Sequence, residues 1–418
     1  MAFARYCMVD LLTRGCRRIA HRLREVVPYF PRYRPQGIHP SSQALSADGS
    51  SGATYREVYP AHTSLLEVTG ELHAQITDYG GLHAKPNRVE QLPPAFVVCL
   101  PQGRILADNS LSVAVISADN RLVGDVSFQY DAHRADLARP EANNVFRLRW
   151  FGPPTRVRGT VATLLAGGGA AQGNYYHWLI DSLPRLHLLK AAGLWDSIDY
   201  FLVYDKHRPV VADSLRALGI RPEQVLDVRT HRHLVADQLL ATSPVRGTGT
   251  HTPHWACAFL RQALRPAAAP GSFGPLVYLS RRDALARHVL NEEAVEAFLR
   301  PLGFETHVLS AYSLAQQIAL FAGAQVVVAP TGAGLANLVF SPDKTRVIEL
   351  FPKHFTAVEY PELCYRLGFP HRFIVAAAAN GPLHARRDGW REHLTVDLAA
   401  LQQELAAFRV GPATAGDE

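Results

Sequence analysis

Paired cysteines, long apolar runs and concentrated charge are all missing from this sequence of 418 residues. Its five cysteines are scattered, and none falls in a Cys-x-x-Cys spacing. This argues against a disulfide framework and against a structural zinc site, and it favours a reducing, cytoplasmic compartment. The five are Cys7, Cys16, Cys99, Cys257 and Cys364.

No apolar stretch approaches the roughly 18–20 residues of a membrane-spanning helix. The N-terminus turns arginine-rich after Leu12, without the apolar core of a secretion signal. Within residues 11–27, apolar residues recur at helical spacing among arginines, a pattern that can lie on an anionic membrane surface. The alternatives are a helix docked on the protein itself and a frayed terminus. Peripheral contact with the inner face of a membrane therefore stays open.

The formal net charge is +6, from 43 basic and 37 acidic residues. The chain has no long Lys/Arg run and no basic patch interleaved with aromatic residues, so a typical nucleic-acid-binding protein is excluded. The mild basic excess reflects either ordinary surface composition or attraction to anionic partners such as nucleotide diphosphates.

Proline, glycine and serine divide the chain into segments. Residues 1–54 combine the basic helical pattern with a flexible linker. Residues 55–265 begin with a small β-rich segment, and from about residue 158 β-branched runs alternate with helical patterns. The same alternation fills residues 273–385, and a helix is predicted at 395–410. The expected fold class is α/β, with two Rossmann-like domains facing a cleft.

A histidine and a carboxylate occupy one face of a predicted helix at residues 174–190. His177 and Asp181 are four positions apart, so they lie on the same side. Such a pair can orient one another and remove a proton from an attacking hydroxyl. The same spacing would also suit a hydrogen bond that only anchors the helix.

The loop before this helix is rich in glycine. Gly167, Gly169 and Gly173 match a loose dinucleotide-binding pattern, which is a weak signal by itself. No acidic residue closes the next strand at the usual spacing of about 20 residues, since Asp205 lies further on.

Two arginines follow a predicted strand in the second half. Arg281 comes directly after the strand at Leu276–Ser280, and Arg287 lies in the same loop. Ligands of open α/β sheets bind at the carboxyl ends of strands, where an arginine can clamp a diphosphate. Surface arginines on a loop are the alternative.

A second small-residue turn follows the buried strand at Gln325–Ala329. The turn runs from Thr331 through Gly332 to Leu335, and a short helix is predicted from residue 334. Backbone N–H groups and the helix dipole make this a ready anion site, although glycine also serves close packing. Glu349 ends the next strand, where it could accept ribose hydroxyls or cap a helix.

Taken together and in this order, these segments resemble glycosyltransferase family 61, which includes capsular-polysaccharide biosynthesis proteins. The resemblance covers roughly residues 100–380. It rests on the run from Asn174 to Leu186, on Tyr278 to Arg281 with Arg287 and Asn291-Glu292, on Gln317, on Gly332 to Asn337 with Phe340, and on Val347 to Glu349.

The resemblance implies a GT-B fold and an inverting, metal-independent transfer from a nucleotide sugar to a glycan or lipid-linked saccharide, with a UDP-sugar as the expected donor. No cofactor and no metal ligand is expected beyond the donor as co-substrate. Catalysis is expected at His177 and Asp181, and acceptor contacts at Asn174, Tyr176, Trp178 and Arg185. Donor contacts are expected at Arg281, Arg287, Thr331, Gly332, Ala333, Gly334, Leu335, Asn337 and Glu349.

One position departs from the family pattern. Many members carry histidine immediately before the Gly-Ala-Gly-Leu turn, and this chain has Thr331. A hydroxyl can donate to a phosphate oxygen but carries no positive charge.

Two other functions remain as alternatives to the transferase. One is an NAD(P)-dependent oxidoreductase that uses Gly167–Gly173. The other is a non-catalytic glycan-binding scaffold, which Thr331 favours.

Overall fold

The structure of this protein is a computed structural model. It describes residues 31–67, 70–75, 89–109, 111–131, 136–148, 151–246, 251–269, 273–378 and 386–410. The predicted basic helix at residues 11–27 lies outside these ranges. None of the helices in the described ranges is long and apolar enough to span a bilayer.

The first half of the chain builds a mixed 12-stranded sheet. Four of its strands, β11, β12, β13 and β14, run parallel in the order β13-β12-β11-β14, with β13 at the edge. These four strands are Thr155–Thr163, Tyr200–Val203, Val225–Asp227 and His233–Thr242. After β11, the chain adds β12 and β13 on one side of β11 and then places β14 on its other side. The strand order therefore reverses between β11 and β14.

Antiparallel strands extend this sheet from β14. Strands β5 and β6 both pair with β14, β2 pairs with β5, and β7 pairs with β6. The strands before β11 are β1 Ile38–His39, β2 Thr54–Tyr59, β3 His62–Leu65, β4 Val89–Leu92, β5 Ala95–Pro101, β6 Arg104–Asn109, β7 Ser112–Ile116, β8 Leu122–Val123, β9 Phe128–Asp131 and β10 Asp136–Leu137. The predicted β-rich segment is therefore continuous with the parallel strands, and β3 and β4 form a separate hairpin.

The second half builds a five-stranded, fully parallel sheet in the order β16-β15-β17-β18-β19. Its strands are β15 Leu276–Ser280, β16 Glu305–Val308, β17 Val326–Pro330, β18 Arg346–Phe351 and β19 His371–Val375. Here the order reverses between β15 and β17. Short strands β20 Ala377–Ala378 and β21 Leu394–Thr395 pair beside it.

Helices connect and cover the strands. They are α1 Ser42–Ala47, α2 Gly70–Gln75, α3 Gly168–Ala171, α4 Tyr175–His177, α5 Arg185–Ala191, α6 Pro209–Ala217, α7 His254–Leu264, α8 Glu292–Leu299, α9 Leu314–Gly323, α10 Glu359–Leu367 and α11 Leu398–Ala407. The alternation of parallel strands and helices confirms the predicted α/β class. Helix α11 lies within the range predicted at 395–410.

Part of the predicted linker is ordered. The composition of residues up to 54 predicts a flexible segment, yet β1 pairs with β8 and α1 packs against the sheet. Ser42 donates to Asp125 through its backbone N–H and its hydroxyl, at 2.7 Å each, and Leu45 is buried. A run of small polar residues has no hydrophobic periodicity from which a helix or strand could be predicted. Contacts with residues far along the chain hold this segment in place instead.

The two halves share a hydrophobic core. Leu179 and Leu183 from the first half pack in the same buried cluster as Leu335 and Phe340 from the second. Arg261 of α7 reinforces the junction, because its Nε donates to the Val339 carbonyl at 2.7 Å. Residues of both halves therefore meet in one continuous buried cluster.

Candidate active site

The predicted helix carrying His177 and Asp181 is interrupted by a π turn. Asn174 caps α4 by accepting the Tyr176 N–H at 2.9 Å, and residues Trp178–Ser182 form the π turn before α5 begins. Such π turns are rare and occur often at functional sites. This one carries Asp181.

His177 and Asp181 form the predicted pair. Nδ1 of His177 lies 2.7 Å from Oδ2 of Asp181, and the histidine side chain is 32% exposed. A carboxylate on Nδ1 fixes the ring tautomer and leaves the lone pair of Nε2 available. Within the described residues, Nε2 has no hydrogen-bond partner.

Arg246 completes this centre, although no sequence motif predicts it. Its Nε donates to Oδ1 of Asp181 at 2.7 Å and its Nη2 to Oδ2 at 3.1 Å. Burial would raise the pKa of Asp181, but Arg246 and then His177 outweigh it and hold the pKa well below its usual range. Asp181 is therefore ionised, and both of its oxygens are occupied.

Two further residues shape the space around His177. Arg185 is buried; its Nε donates to the Asp181 carbonyl at 3.0 Å and its Nη1 to Oγ1 of Thr242 at 3.1 Å. A Cβ at Gly169 would overlap the His177 ring, so glycine is required for the loop to approach the histidine. Thr242 ends β14 and Arg246 follows it, which places this centre where the strand order of the first sheet reverses.

A second polar centre lies where the strand order of the second sheet reverses. Arg281 follows β15 and Gly332 follows β17, and a Cβ at Gly332 would overlap the Arg281 guanidinium. Arg281 donates to the Ala286 carbonyl at 3.3–3.4 Å. Burial, and then the neighbouring Arg287 charge, lower the pKa of Arg281 to about 10.

Arg287 reinforces the positive charge of this second centre. Its guanidinium carbon lies 4.9 Å from the centroid of the Phe355 ring, and its buried Nε has no hydrogen-bond partner. Within the described ranges, neither Arg281 nor Arg287 forms an ion pair with a carboxylate. Two partly buried guanidinium groups without a counter-ion in the described ranges favour an anion at this point.

The turn beside Arg281 supplies further donors. Residues Ala333–Phe340 form a 3₁₀ helix whose first turn closes with the Leu335 N–H on the Gly332 carbonyl at 2.9 Å. Among the described residues, the backbone N–H groups of Gly332, Ala333 and Gly334 have no acceptor. Unsatisfied N–H groups at a helix start favour an anion.

Two tyrosines connect the centres. The rings of Tyr176 and Tyr360 meet edge to face with centroids 5.8 Å apart, and Arg246 lies 5.4 Å from the Tyr176 ring centroid. Burial raises the pKa of Tyr360 well above its ordinary value, against the opposing charge of Arg287. The His177 centre and the arginine centre thus flank the same tyrosine pair.

Several predicted donor residues lie in the interior instead. Asn337 is fully buried: its Oδ1 accepts the Tyr175 hydroxyl at 2.6 Å, and its Nδ2 donates to Gln317 at 3.1 Å. Glu349 is also fully buried, bonded to Nε2 of His371 at 3.0 Å. Its pKa is raised by burial despite His371 and the adjacent Thr331 hydroxyl. Thr331 is buried as well, facing Glu349.

One predicted acceptor contact also packs in the interior. Trp178 is 5% exposed, and its indole N–H donates to Oγ of Ser214 at 3.0 Å. The structure therefore brings together His177, Asp181, Tyr176 and Arg185 on one side. It brings together Arg281, Arg287 and Gly332 on the other.

A comparison with known protein families covers the segments that carry both centres. Residues 175–348 match the family model described as Glycosyltransferase 61, and the match spans the segments that carry His177, Asp181, Arg246, Arg281 and Gly332. No curated protein matches the chain. The predicted resemblance to glycosyltransferase family 61 is therefore confirmed over these residues. No cluster of three or more metal-binding side chains occurs among the described residues.

Proposed function

We propose that this protein is an inverting glycosyltransferase that moves a sugar from a nucleotide sugar, with UDP as the nucleotide, to a hydroxyl of a glycan or lipid-linked saccharide. The observation that carries the proposal is the pairing of an oriented histidine with an unneutralised arginine site across Tyr176 and Tyr360. The parallel strands within each of the two sheets support a GT-B arrangement in which each half contributes one centre. The family match supports a role in cell-surface or capsular polysaccharide synthesis.

His177 is the base in this scheme. Asp181 is held as an anion by Arg246, and its Oδ2 accepts the Nδ1 proton of His177, so the free Nε2 takes the proton of the acceptor hydroxyl. The acceptor oxygen bonds to the anomeric carbon as the bond from that carbon to the diphosphate oxygen breaks. Attack opposite the leaving group inverts the anomeric configuration.

The arginine centre stabilises the departing nucleoside diphosphate. Arg281 and Arg287 supply positive charge, and the N–H groups of Gly332, Ala333 and Gly334 supply donors that need no reorganisation during the reaction. These groups provide the stabilisation that a metal ion supplies in other transferases, so the proposed reaction requires no metal. Exclusion of water between the two halves limits hydrolysis of the donor.

The glycine-rich loop argues against the oxidoreductase. Cβ atoms at Gly167, Gly169 and Gly173 would overlap the side chains of Phe128, His177 and Arg208, respectively. These glycines therefore make room for the protein's own side chains, and the loop offers little space for a pyrophosphate. The oriented His177–Asp181–Arg246 set likewise favours catalysis over a scaffold.

A ligand screen followed by turnover tests the proposal. Thermal shifts are recorded with UDP-sugars, other nucleotide sugars and NAD(H), since a ligand that binds the folded state stabilises it. Turnover of the best donor is then compared between wild type, His177→Ala, Asp181→Asn and the control His207→Ala, which removes an exposed histidine. We expect His177→Ala to lose roughly 10²–10⁴-fold in kcat. Wild-type turnover in His177→Ala and Asp181→Asn would overturn the base assignment.

A further inference from the structure

The loop that carries Arg287 pairs along its backbone with residues 389–396, here called the C-terminal segment. The Leu394 carbonyl accepts the Leu290 N–H at 2.8 Å, and the Leu394 N–H donates to the His288 carbonyl at 2.9 Å. The backbone directly after Arg287 is therefore held by a part of the chain that follows much later in the sequence.

Two side chains extend this pairing. The His288 N–H donates to Nδ1 of His393 at 3.1 Å, and the two imidazole rings have centroids 4.7 Å apart. Asn291 donates from Nδ2 to the Val396 carbonyl at 2.8 Å and accepts the Val396 N–H at Oδ1, at 2.9 Å. The C-terminal segment thus fixes both ends of the stretch 288–291, which joins the arginine loop to helix α8.

The same segment also reaches the aromatic ring on which Arg287 lies. Glu392 is buried; its Oε2 accepts the His354 N–H at 2.8 Å, and its Oε1 lies 3.1 Å from Nδ1 of His354. His354 precedes Phe355, whose ring centroid is 4.9 Å from the guanidinium carbon of Arg287. A Cβ at Gly389 would overlap the His354 carbonyl, so glycine allows this close approach.

Arg287 itself needs support from its surroundings. Its backbone has φ of 61°, in the left-handed region that residues other than glycine rarely adopt. Its Nε is buried and, among the described residues, has no hydrogen-bond partner. A strained backbone and an unsatisfied buried donor persist only where other contacts fix them, and both are found preferentially at functional sites. The C-terminal segment and Phe355 provide such contacts.

We propose that Glu392 is a positioning residue for the binding of the nucleoside diphosphate. Glu392 anchors His354 and thereby fixes Phe355, and the Phe355 ring holds the Arg287 guanidinium at the anion site. Glu392 does not touch the ligand, so its effect passes entirely through Arg287. This inference rests on the proposed function.

A double-mutant cycle tests whether Glu392 acts through Arg287. Titration calorimetry with UDP is performed on wild type, Glu392→Gln, Arg287→Gln and the double variant. Glu404→Gln is the matched control, because Glu404 lies in α11 of the same half and pairs with Arg372 instead. The unfolding midpoint of each variant is measured alongside, so that loss of fold is recognised.

We expect Glu392→Gln to bind UDP roughly fivefold more weakly or worse, because the carboxylate contacts with His354 are lost. In the Arg287→Gln background the same change should alter UDP affinity by less than about twofold, since the group through which it acts is already gone. Glu404→Gln should stay within about twofold of wild type. A merely structural role for Glu392 would lower UDP affinity equally in both backgrounds.

A second variant keeps the test decisive if Glu392→Gln does not fold. Gly389→Ala displaces the His354 backbone without changing any charge, and Gly323→Ala is its control, since a Cβ there has its nearest contact at 3.9 Å. Gly389→Ala should repeat the loss of UDP affinity and its dependence on Arg287. Wild-type affinity in the folded Glu392 or Gly389 variant, or an equal loss with and without Arg287, overturns the inference. Wild-type protein that does not bind UDP overturns the proposed function, and the positioning role with it.

Discussion

Arg246 donates to both carboxylate oxygens of Asp181, with Nε–Oδ1 at 2.7 Å and Nη2–Oδ2 at 3.1 Å. The sequence alone left open whether His177 or Asp181 is the base. A carboxylate whose pKa is depressed and whose oxygens are both occupied is a poor proton acceptor. The bidentate contact therefore assigns Asp181 to orienting His177 and leaves the proton transfer to the histidine.

Replacing Arg246 by lysine should lower kcat while leaving donor affinity intact. Lysine keeps the charge but cannot contact both oxygens of Asp181 at once, so the His177 ring loses its fixed orientation. We expect kcat to fall roughly tenfold or more, with a changed pH profile. The measurement is kcat against pH for wild type and Arg246→Lys.

The control for this variant is Arg229→Lys, which alters an exposed arginine paired with Asp205. Arg246→Met, which leaves Asp181 without its cation, should cost about 3–5 kcal/mol of stability. A kcat and pH profile of Arg246→Lys that match wild type would show that Arg246 does not position the base.

Adding one methyl group at Gly332 should weaken binding of the nucleotide. The backbone there is extended, with φ of 169°, so alanine meets no backbone strain. Its Cβ would instead displace the Arg281 guanidinium. We expect Gly332→Ala to bind UDP roughly tenfold more weakly or worse, as measured by titration calorimetry.

Gly323→Ala is the matched control. A Cβ at Gly323 has its nearest contact at 3.9 Å, so the substitution displaces nothing. If Gly332→Ala binds UDP as tightly as Gly323→Ala does, Arg281 and the turn do not form the diphosphate site.

Glu362 should make stability depend on pH in a distinctive direction. It is fully buried; its Oε1 accepts from Nε of Arg366 at 2.9 Å and from the Thr252 N–H at 2.8 Å. Burial raises its pKa to about 7 although Arg366 opposes the shift. Between the unfolded pKa of about 4.3 and 7, the folded state binds the extra proton, so this group destabilises the fold as pH rises.

The test compares chemical unfolding of wild type and Glu362→Gln from pH 5 to 8. Subtracting the two curves removes the contributions of other groups, including buried histidines. We expect wild type to lose on the order of a few kcal/mol relative to Glu362→Gln across this range. Parallel curves would mean that Glu362 stays ionised throughout, held by Arg366.

The sequence predicts much of the parallel architecture because buried strands and amphipathic helices have distinct periods. Strand β15 is predicted at its observed bounds, Leu276–Ser280. The rule that ligands bind at the carboxyl ends of strands also locates Arg281 and Gly332 correctly at one edge. The periodicity of each element and the residues that directly follow a strand can be read from neighbouring positions in the sequence, without knowledge of contacts between distant segments.

Other features depend on contacts between distant segments. Arg246 belongs to no motif, although its position just after β14 satisfies the rule that located Arg281. Glu349 and Trp178 lie in motif-bearing segments, yet both are buried, because the sequence does not show which face of a strand or helix turns inward. The order of residues 38–59 depends on pairing with strands that follow much later.

The most direct test of the account is the affinity of UDP for wild type, Arg281→Gln and Arg282→Gln, measured by titration calorimetry with NADH as the comparison ligand. Arg282 is adjacent but half-exposed and paired with Glu292 and Glu296, so its loss should leave the site intact. We predict that wild type binds UDP in preference to NADH. Arg281→Gln should weaken UDP roughly tenfold or more, and Arg282→Gln should bind as wild type does. Equal UDP affinity in all three proteins, or binding of NADH alone, would contradict the account.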